Sequence, residues 1–293
     1  MKIKVIGLFG ALVLVALLVM SGCGPKVEEG EVPEEFVFYT ITDLSGPLAP
    51  SNIGAATSGP IFCDWYNEEY GGIGGEVPLR AVVGDCRCDA AIGVSIYEDF
   101  RARTPKPIFV HCCPSMTAVA VKERLDEDEM ISFTQCPNKQ VLFPVGYTIA
   151  QSFWYPVGAA GMIEYVAENW PGETVKVGIC TWDNSFGRGI ITDEVEKLCE
   201  DLPNVELVGI EVFPGTALDV TAQIERLKAA GANWILDNET GPGTVVVSRT
   251  IGAMGLLAHD FEDTRPGMMH RMSGSYGCDP SGILPAPWGA NPY

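Results

Sequence analysis

"DVTAQIERLKAAGANWIL", Asp219–Leu236, reads as a helix followed by a buried strand. Val220, Ile224 and Leu227 fall at i, i+4 and i+7, which lines one face of a helix. Thr216 precedes the helix and Gly231 marks its apparent end. Trp234–Leu236 is then continuously apolar, as expected of a strand covered on both faces.

Outward from this unit the same alternation fills most of the chain. Strands are predicted at Phe36–Ile41, Leu79–Val83, Ile108–Val110, Met130–Phe133, Val175–Ile179 and Leu207–Val212. Helical spacing links Ile92, Ile96 and Phe100; Ala159, Ile163 and Val166; Ile191, Val195 and Leu198; and Val247, Ile251 and Met254. Strand–helix alternation of this kind implies right-handed crossovers and parallel sheets with helices on both faces. The pattern restarts near Tyr147–Pro156. The expected fold is therefore α/β, with two Rossmann-like lobes over residues 36–153 and 154–257. Residues 258–293 are rich in Gly and Pro and lack a sustained period, so they read as an irregular tail or a truncated return segment.

The N-terminus carries Lys2 and Lys4, then an apolar run from Val5 to Met20, then small residues before Cys23. These are the parts of an export signal, and the run is short for a membrane span. The stretch resembles a bacterial lipoprotein signal, which implies removal of residues 1–22 and a lipid on Cys23; an ordinary signal peptide and an uncleaved anchor are the other readings. Residues 24–35, "GPKVEEGEVPEE", are acidic and poor in apolar side chains, so 23–35 reads as a tether. With 38 acidic and 19 basic residues, the net charge is −19. Such a surface repels nucleic acid and anionic lipid. Ten cysteines in an exported chain point to disulfides. With Cys23 lipid-bearing, nine remain and at least one stays unpaired within the chain.

Ligands of parallel sheets bind outside the carboxyl ends of the strands. Here those ends read "TDLSGPLAPSN", "GDCRCDA", "HCCPSMT", "TQCPN", "TWDNSFGRG", "FPGT" and "DNETGPG". "HCCPSMT" precedes a helix-like run, so its backbone N–H groups with the Ser115 and Thr117 hydroxyls suit a carboxylate. The sequence contains no G-x-S-x-G, no G-x-x-x-x-G-K-[ST] and no H-E-x-x-H. Cys86, Cys88, His111, Cys112 and Cys113 have ligand types that suit Zn²⁺, but C-x-C with H-C-C is not the usual spacing. His259, Asp260, Glu262 and His270 read better as a solvated acidic loop than as a metal site. Trp182 and Phe186 read equally as pocket aromatics and as packed loop residues.

Five pieces in order carry a resemblance: "DLSGPLA", "NEEYGGIGGEVPLRAVVGD", "HCCPSMTAVA", "CTWDNSFGRG" and "DVTAQIERLKAAGANWIL". From about Phe36 to Leu257 the chain resembles the type I periplasmic solute-binding proteins of ABC transporters, in particular the branched-chain amino-acid (Leu/Ile/Val) receptor group in lipoprotein form. The resemblance implies a receptor that closes two hinged lobes on a small solute, an amino acid or a related carboxylate or amide, and delivers it to a membrane permease. It implies no catalytic residue, metal or cofactor. The ligand-binding positions carried over are Ser51, Ser115, Thr117, and Thr134 or Cys136 from the first lobe. Those from the second are Phe186 and the loop Asp237–Thr240, including Asn238 and Thr240; Trp182, Phe186 and Asn238 are expected to close over the solute. It further implies a disulfide between Cys88 and Cys113 and a missing C-terminal part. Pro114 departs from the usual serine, and Glu239 is out of register with the acidic residue that takes a ligand amino group. Two further readings remain: a ligand-sensing ectodomain with a signalling partner, and an exported metal-dependent enzyme on the Cys/His cluster.

Overall fold

The computed structural model describes residues 32–152, 154–258 and 269–273. The expected signal segment, Cys23, His259, Asp260 and Glu262 lie outside the described residues. Two sheets carry the fold, and every strand pair in them is parallel. The first contains β1 (Phe36–Thr42), β2 (Leu79–Asp85), β3 (Val110–Cys112), β4 (Ser132–Thr134) and β5 (Thr148–Ala150), in the order β2-β1-β3-β4-β5. The second contains β6 (Val175–Trp182), β7 (Val205–Phe213), β8 (Trp234–Asp237) and β9 (His270–Ser273), in the order β7-β6-β8-β9. Both sheets thus repeat one winding, with the direction of strand addition reversing between β1 and β3 and between β6 and β8. Crevices at such reversals are where open α/β sheets hold ligands.

The helices are α1 (Ala49–Tyr70), α2 (Ala90–Arg101), α3 (Ser115–Glu127), α4 (Lys139–Leu142), α5 (Tyr155–Asn169), α6 (Asp193–Asp201), α7 (Thr221–Ala229) and α8 (Pro242–Ala253). One core gathers Val37, Tyr39 and Ile41 of β1 with Val110, Tyr97, Phe100, Val121 and Leu125. A second gathers Val175, Val177, Ile179 and Trp234–Leu236 with Ala159, Ile163, Val166, Ile224, Leu227, Val247 and Ile251. The stripes expected on α5, α7 and α8 are therefore the buried ones. α7 starts at Thr221, not near Thr216, because Asp219 accepts from the Thr221 backbone N–H and hydroxyl at 3.0 and 2.9 Å. The carboxylate satisfies donors that a helix start leaves unpaired.

The structure corrects the reading at other points. On α2 the buried residues are Gly93, Tyr97 and Phe100, while Ile92 is exposed. Gly93 rotates the helix: a Cβ there would stand 2.4 Å from Thr117 Cγ2, so the missing side chain lets α2 and α3 approach. β3 and β4 begin two residues later than the apolar runs suggest, because register against β1 sets Tyr39 opposite Val110 and then Val110 opposite Ser132. β5 was not foreseen; its residues are partly exposed at the sheet edge, so they form no apolar run. Nor was β9, which lies inside the segment read as an irregular tail and pairs with β8. Its strand state comes from that partner, not from its own pattern. Among the described residues no helix is long and apolar enough to cross a membrane.

Candidate functional site

The first strand-to-helix loop is built on Asp43, which follows β1 and is fully buried. Its carboxylate accepts from Gly46 N–H at 2.5 Å and Leu48 N–H at 2.7 Å. That turn places Ser51 and Asn52 in the first turn of α1. Asp85, the last residue of β2, braces the same loop by accepting from Leu44 N–H and Ser45 Oγ, and accepts from Arg87 N–H in its own turn. These carboxylates act on loop backbone, which explains polar residues at the strand ends without assigning them to a ligand.

After β3 the chain passes Cys113 and Pro114 directly into α3, whose N-terminus has no side-chain cap. Its first backbone N–H groups lack intrahelical partners by geometry. Ser115 sits there, 1% exposed, with Oγ 3.2 Å from the Tyr155 hydroxyl. Tyr155 opens α5 and its ring centroid lies 5.4 Å from that of Phe186. Sequence reasoning missed Tyr155; its only signal was a position at the restart of the pattern, and its hydroxyl meets Ser115 solely through folding. The remaining first-lobe residues divide. Thr117 turns into the lobe, against Gly93 of α2. Thr134 uses its hydroxyl between strands, donating to Cys112 O at 2.9 Å and accepting from Cys136 N–H at 3.0 Å. Cys136 is buried, its Sγ 3.8 Å from that of Cys113.

In the second lobe Asn184 Oδ1 accepts from Phe186 N–H and Gly187 N–H, folding the loop after β6. Gly187 lies so close to the Trp182 backbone that a Cβ would stand 2.2 Å from Trp182 O. Asn238, fully buried after β8, donates from Nδ2 to Phe186 O at 2.6 Å and from its backbone N–H to Thr181 Oγ1 at 3.2 Å. Thr181 Oγ1 in turn donates to Asn238 O at 3.0 Å. Asn238 thus clamps the loop that holds Phe186. Trp182 is 1% exposed and packs beside Gly243, where a Cβ would meet Nε1 at 2.5 Å. Trp182 thus packs beneath the loop, and Phe186 lies beside it with ring centroids 6.1 Å apart.

The two sets of loops meet. Ser51 Oγ lies 3.0 Å from Thr240 Oγ1. Lys139 Nζ of α4 reaches Glu194 Oε1 of α6 at 2.8 Å, and Asn138 Nδ2 donates to Ser185 O at 3.4 Å. Leu48, from the first loop, is buried in the second core. Ser51, Ser115, Tyr155, Phe186 and Thr240 are thereby drawn to the carboxyl-end side of both sheets.

Among the described residues no group of His, Cys, Asp and Glu is arranged to hold a metal ion. Cys86, Cys88, Cys112 and Cys113 carry free thiols, so the expected Cys88–Cys113 bond is not formed here. Burial pushes the Cys88 thiol up to about 12 and raises those of Cys86 and Cys112. Cys136 moves the other way: the neighbouring Cys113 thiol, then the Ser115 and Tyr155 hydroxyls, favour its thiolate against burial. Burial lowers the His111 pKa, against a hydrogen bond with Gln151.

The comparisons agree with this architecture. A solved fatty acid ABC transporter substrate-binding protein from Thermomonospora curvata is similar at 19% identity and TM-score 0.67, covering 83% of this chain and 57% of its own. A branched chain amino acid ABC transporter structure from Thermus thermophilus with bound valine is similar at 16% identity and TM-score 0.70, covering 82% and 59%. A solute binding protein from Rhodopseudomonas palustris BisB5, in complex with 3,4-dihydroxy benzoic acid, is similar at 14% identity and TM-score 0.65, covering 82% and 62%. The chain spans less than two thirds of the length of these structures, and at such identities the likeness is one of fold. The sequence search against curated proteins returns no match. A family model described as periplasmic binding protein matches residues 40–263, most of the chain. With two parallel sheets wound alike and their carboxyl ends brought together, the chain belongs to the type I periplasmic binding protein family.

Proposed function

We propose that this chain is an extracytoplasmic receptor that captures a small solute between its two lobes and presents it to the permease of an ABC importer. One observation carries the reading: the Ser51–Thr240 contact at 3.0 Å, which joins the loops following β1 and β8 across the two lobes. The solved relatives are named as substrate-binding proteins, which supports binding without turnover. Their named ligands differ, a fatty acid receptor beside a structure with valine and one with 3,4-dihydroxy benzoic acid, and all three carry a carboxylate. The uncapped start of α3 at Ser115 fits that shared group, because unpaired N–H groups and the helix dipole favour an anion. The solute class is therefore a small carboxylate or amide, with amino acids among the first to test. Phe186 and Tyr155 supply apolar walls.

The test is a thermal-shift screen of amino acids, amides, short and aromatic carboxylates, followed by calorimetry and by mass analysis of the recovered ligand. A stabilising carboxylate recovered unchanged is the expected result. A ligand returned chemically altered, or hits confined to cations, would overturn it. The same reading holds the receptor at the outer face of the membrane through a lipid on Cys23. Cys23→Ser is expected to move the protein from the membrane to the soluble fraction, and failure of labelled lipid to attach to the wild type would refute the anchor.

A further inference from the structure

We propose that Cys113 and Cys136 form a disulfide that joins the two first-lobe loops of the cleft and encloses α3. β3 and β4 are neighbouring parallel strands with Cys112 opposite Thr134, so Cys113 and Cys136 leave the same end of adjacent strands. Neighbouring strands lie about 4.8 Å apart, so the segments that leave them start within the roughly 4.4–6.8 Å between Cα atoms that a disulfide spans. Thr134 fixes the two backbones together through its bonds to Cys112 O and Cys136 N–H. The two Sγ atoms stand 3.8 Å apart, with Cys113 at 7% and Cys136 at 4% exposure. A bond of about 2.05 Å requires the two side chains to rotate toward each other.

Cys88 is occupied differently. It lies at φ 58° in the tight turn after β2, and its Sγ meets Met116 Sδ at 3.6 Å. A sulfur makes one disulfide, so a Cys113–Cys136 bond excludes the Cys88–Cys113 bond that the family resemblance implied. The rim of the cleft is also where such a bond changes most: it ties the segment bearing Ser115 to the loop of Cys136 and withdraws both thiols from ligand contact.

The oxidant is a disulfide, from a protein or a small molecule, met while the exported chain folds. The Cys136 thiolate attacks one sulfur of that disulfide, forming a mixed disulfide and expelling one thiolate. Cys113 then loses its proton and attacks the Cys136 sulfur, expelling the second. Two electrons pass to the donor, which leaves as two thiols with the two protons.

The test uses the full chain exported to an oxidising compartment, alkylated while unfolded and digested without reduction. A peptide linking Cys113 to Cys136 is expected, in the wild type and equally in Cys88→Ser. Reduction is expected to lower Tm by about 5–10 °C, the scale of a disulfide closing a loop of this size in a chain of this length. A Cys88–Cys113 link, another partner for either cysteine, alkylation of both, or a stoichiometric bound zinc would each overturn the proposal. The mapping needs no solute, so it succeeds or fails independently of the receptor reading.

Discussion

At the residue scale the proposed site turns on Ser115. It is buried, starts α3 without a side-chain cap and meets the Tyr155 hydroxyl across the lobes. Losing one hydrogen bond to a charged group costs about 1.5–3 kcal/mol, so Ser115→Ala is expected to weaken a carboxylate ligand roughly tenfold to over a hundredfold. Titration calorimetry with the best ligand checks it; unchanged affinity with an unchanged melting curve would remove Ser115 from the site. His111 offers a second test, of stability. Its pKa is depressed by burial, so the folded state resists the proton that the unfolded chain takes up. A base with a depressed folded pKa contributes stability above its unfolded value, about 6.5, and that stability is lost as pH falls below it toward the folded value. Tm is expected to decline from about pH 7 downward in the wild type and more gently in His111→Gln; parallel declines would show that another group titrates.

At the element scale the close approaches are made by glycine. Gly243 lies in the first turn of α8, and a Cβ there would stand 2.5 Å from Trp182 Nε1 and 2.6 Å from Cε2. Trp182 is held in turn by the turn at Gly187, so it has little room to yield. Overpacking of this kind typically costs about 1–3 kcal/mol. Gly243→Ala is therefore expected to lower the denaturant midpoint, whereas Gly252→Ala, which meets nothing within 4 Å, is expected to leave it unchanged or raise it. Chemical denaturation of the two variants side by side gives the comparison; equal midpoints would refute the packing argument. The helix α2 shows why periodicity erred by one residue. A pattern of apolar residues cannot register that Gly93 is buried because something else must come close.

For the whole molecule, the exposed ion pair of Lys139 with Glu194 spans the two lobes. Lys139 holds the Glu194 carboxyl down to about 2. A depressed carboxylate contributes stability above its unfolded pKa, near 4.5, and the contribution disappears as pH falls from there to about 2. The pair is solvated, so the effect is small and weakens with salt. Lys139→Met is expected to reduce the loss of stability between pH 5 and pH 2 at low salt, read by acid unfolding followed by circular dichroism. An identical acid transition would mean that the pair contributes nothing. On this scale the sequence by itself determined the class of fold: apolar runs such as Val175–Ile179 and Trp234–Leu236 must be buried on both faces, and stripes such as Ala159, Ile163 and Val166 must face a sheet. It also pointed to the loops of the proposed site, because polar residues collect where such buried strands end. Tertiary structure alone decided which loop residues share a surface. Thr117 and Thr134 look like Ser115 in sequence, yet neighbours fixed by packing and strand register turn one toward Gly93 and engage the other between Cys112 and Cys136. Tyr155 meets Ser115, Cys113 meets Cys136, and β9 becomes a strand beside β8, each through a partner distant in the chain, and local propensity holds no record of such partners.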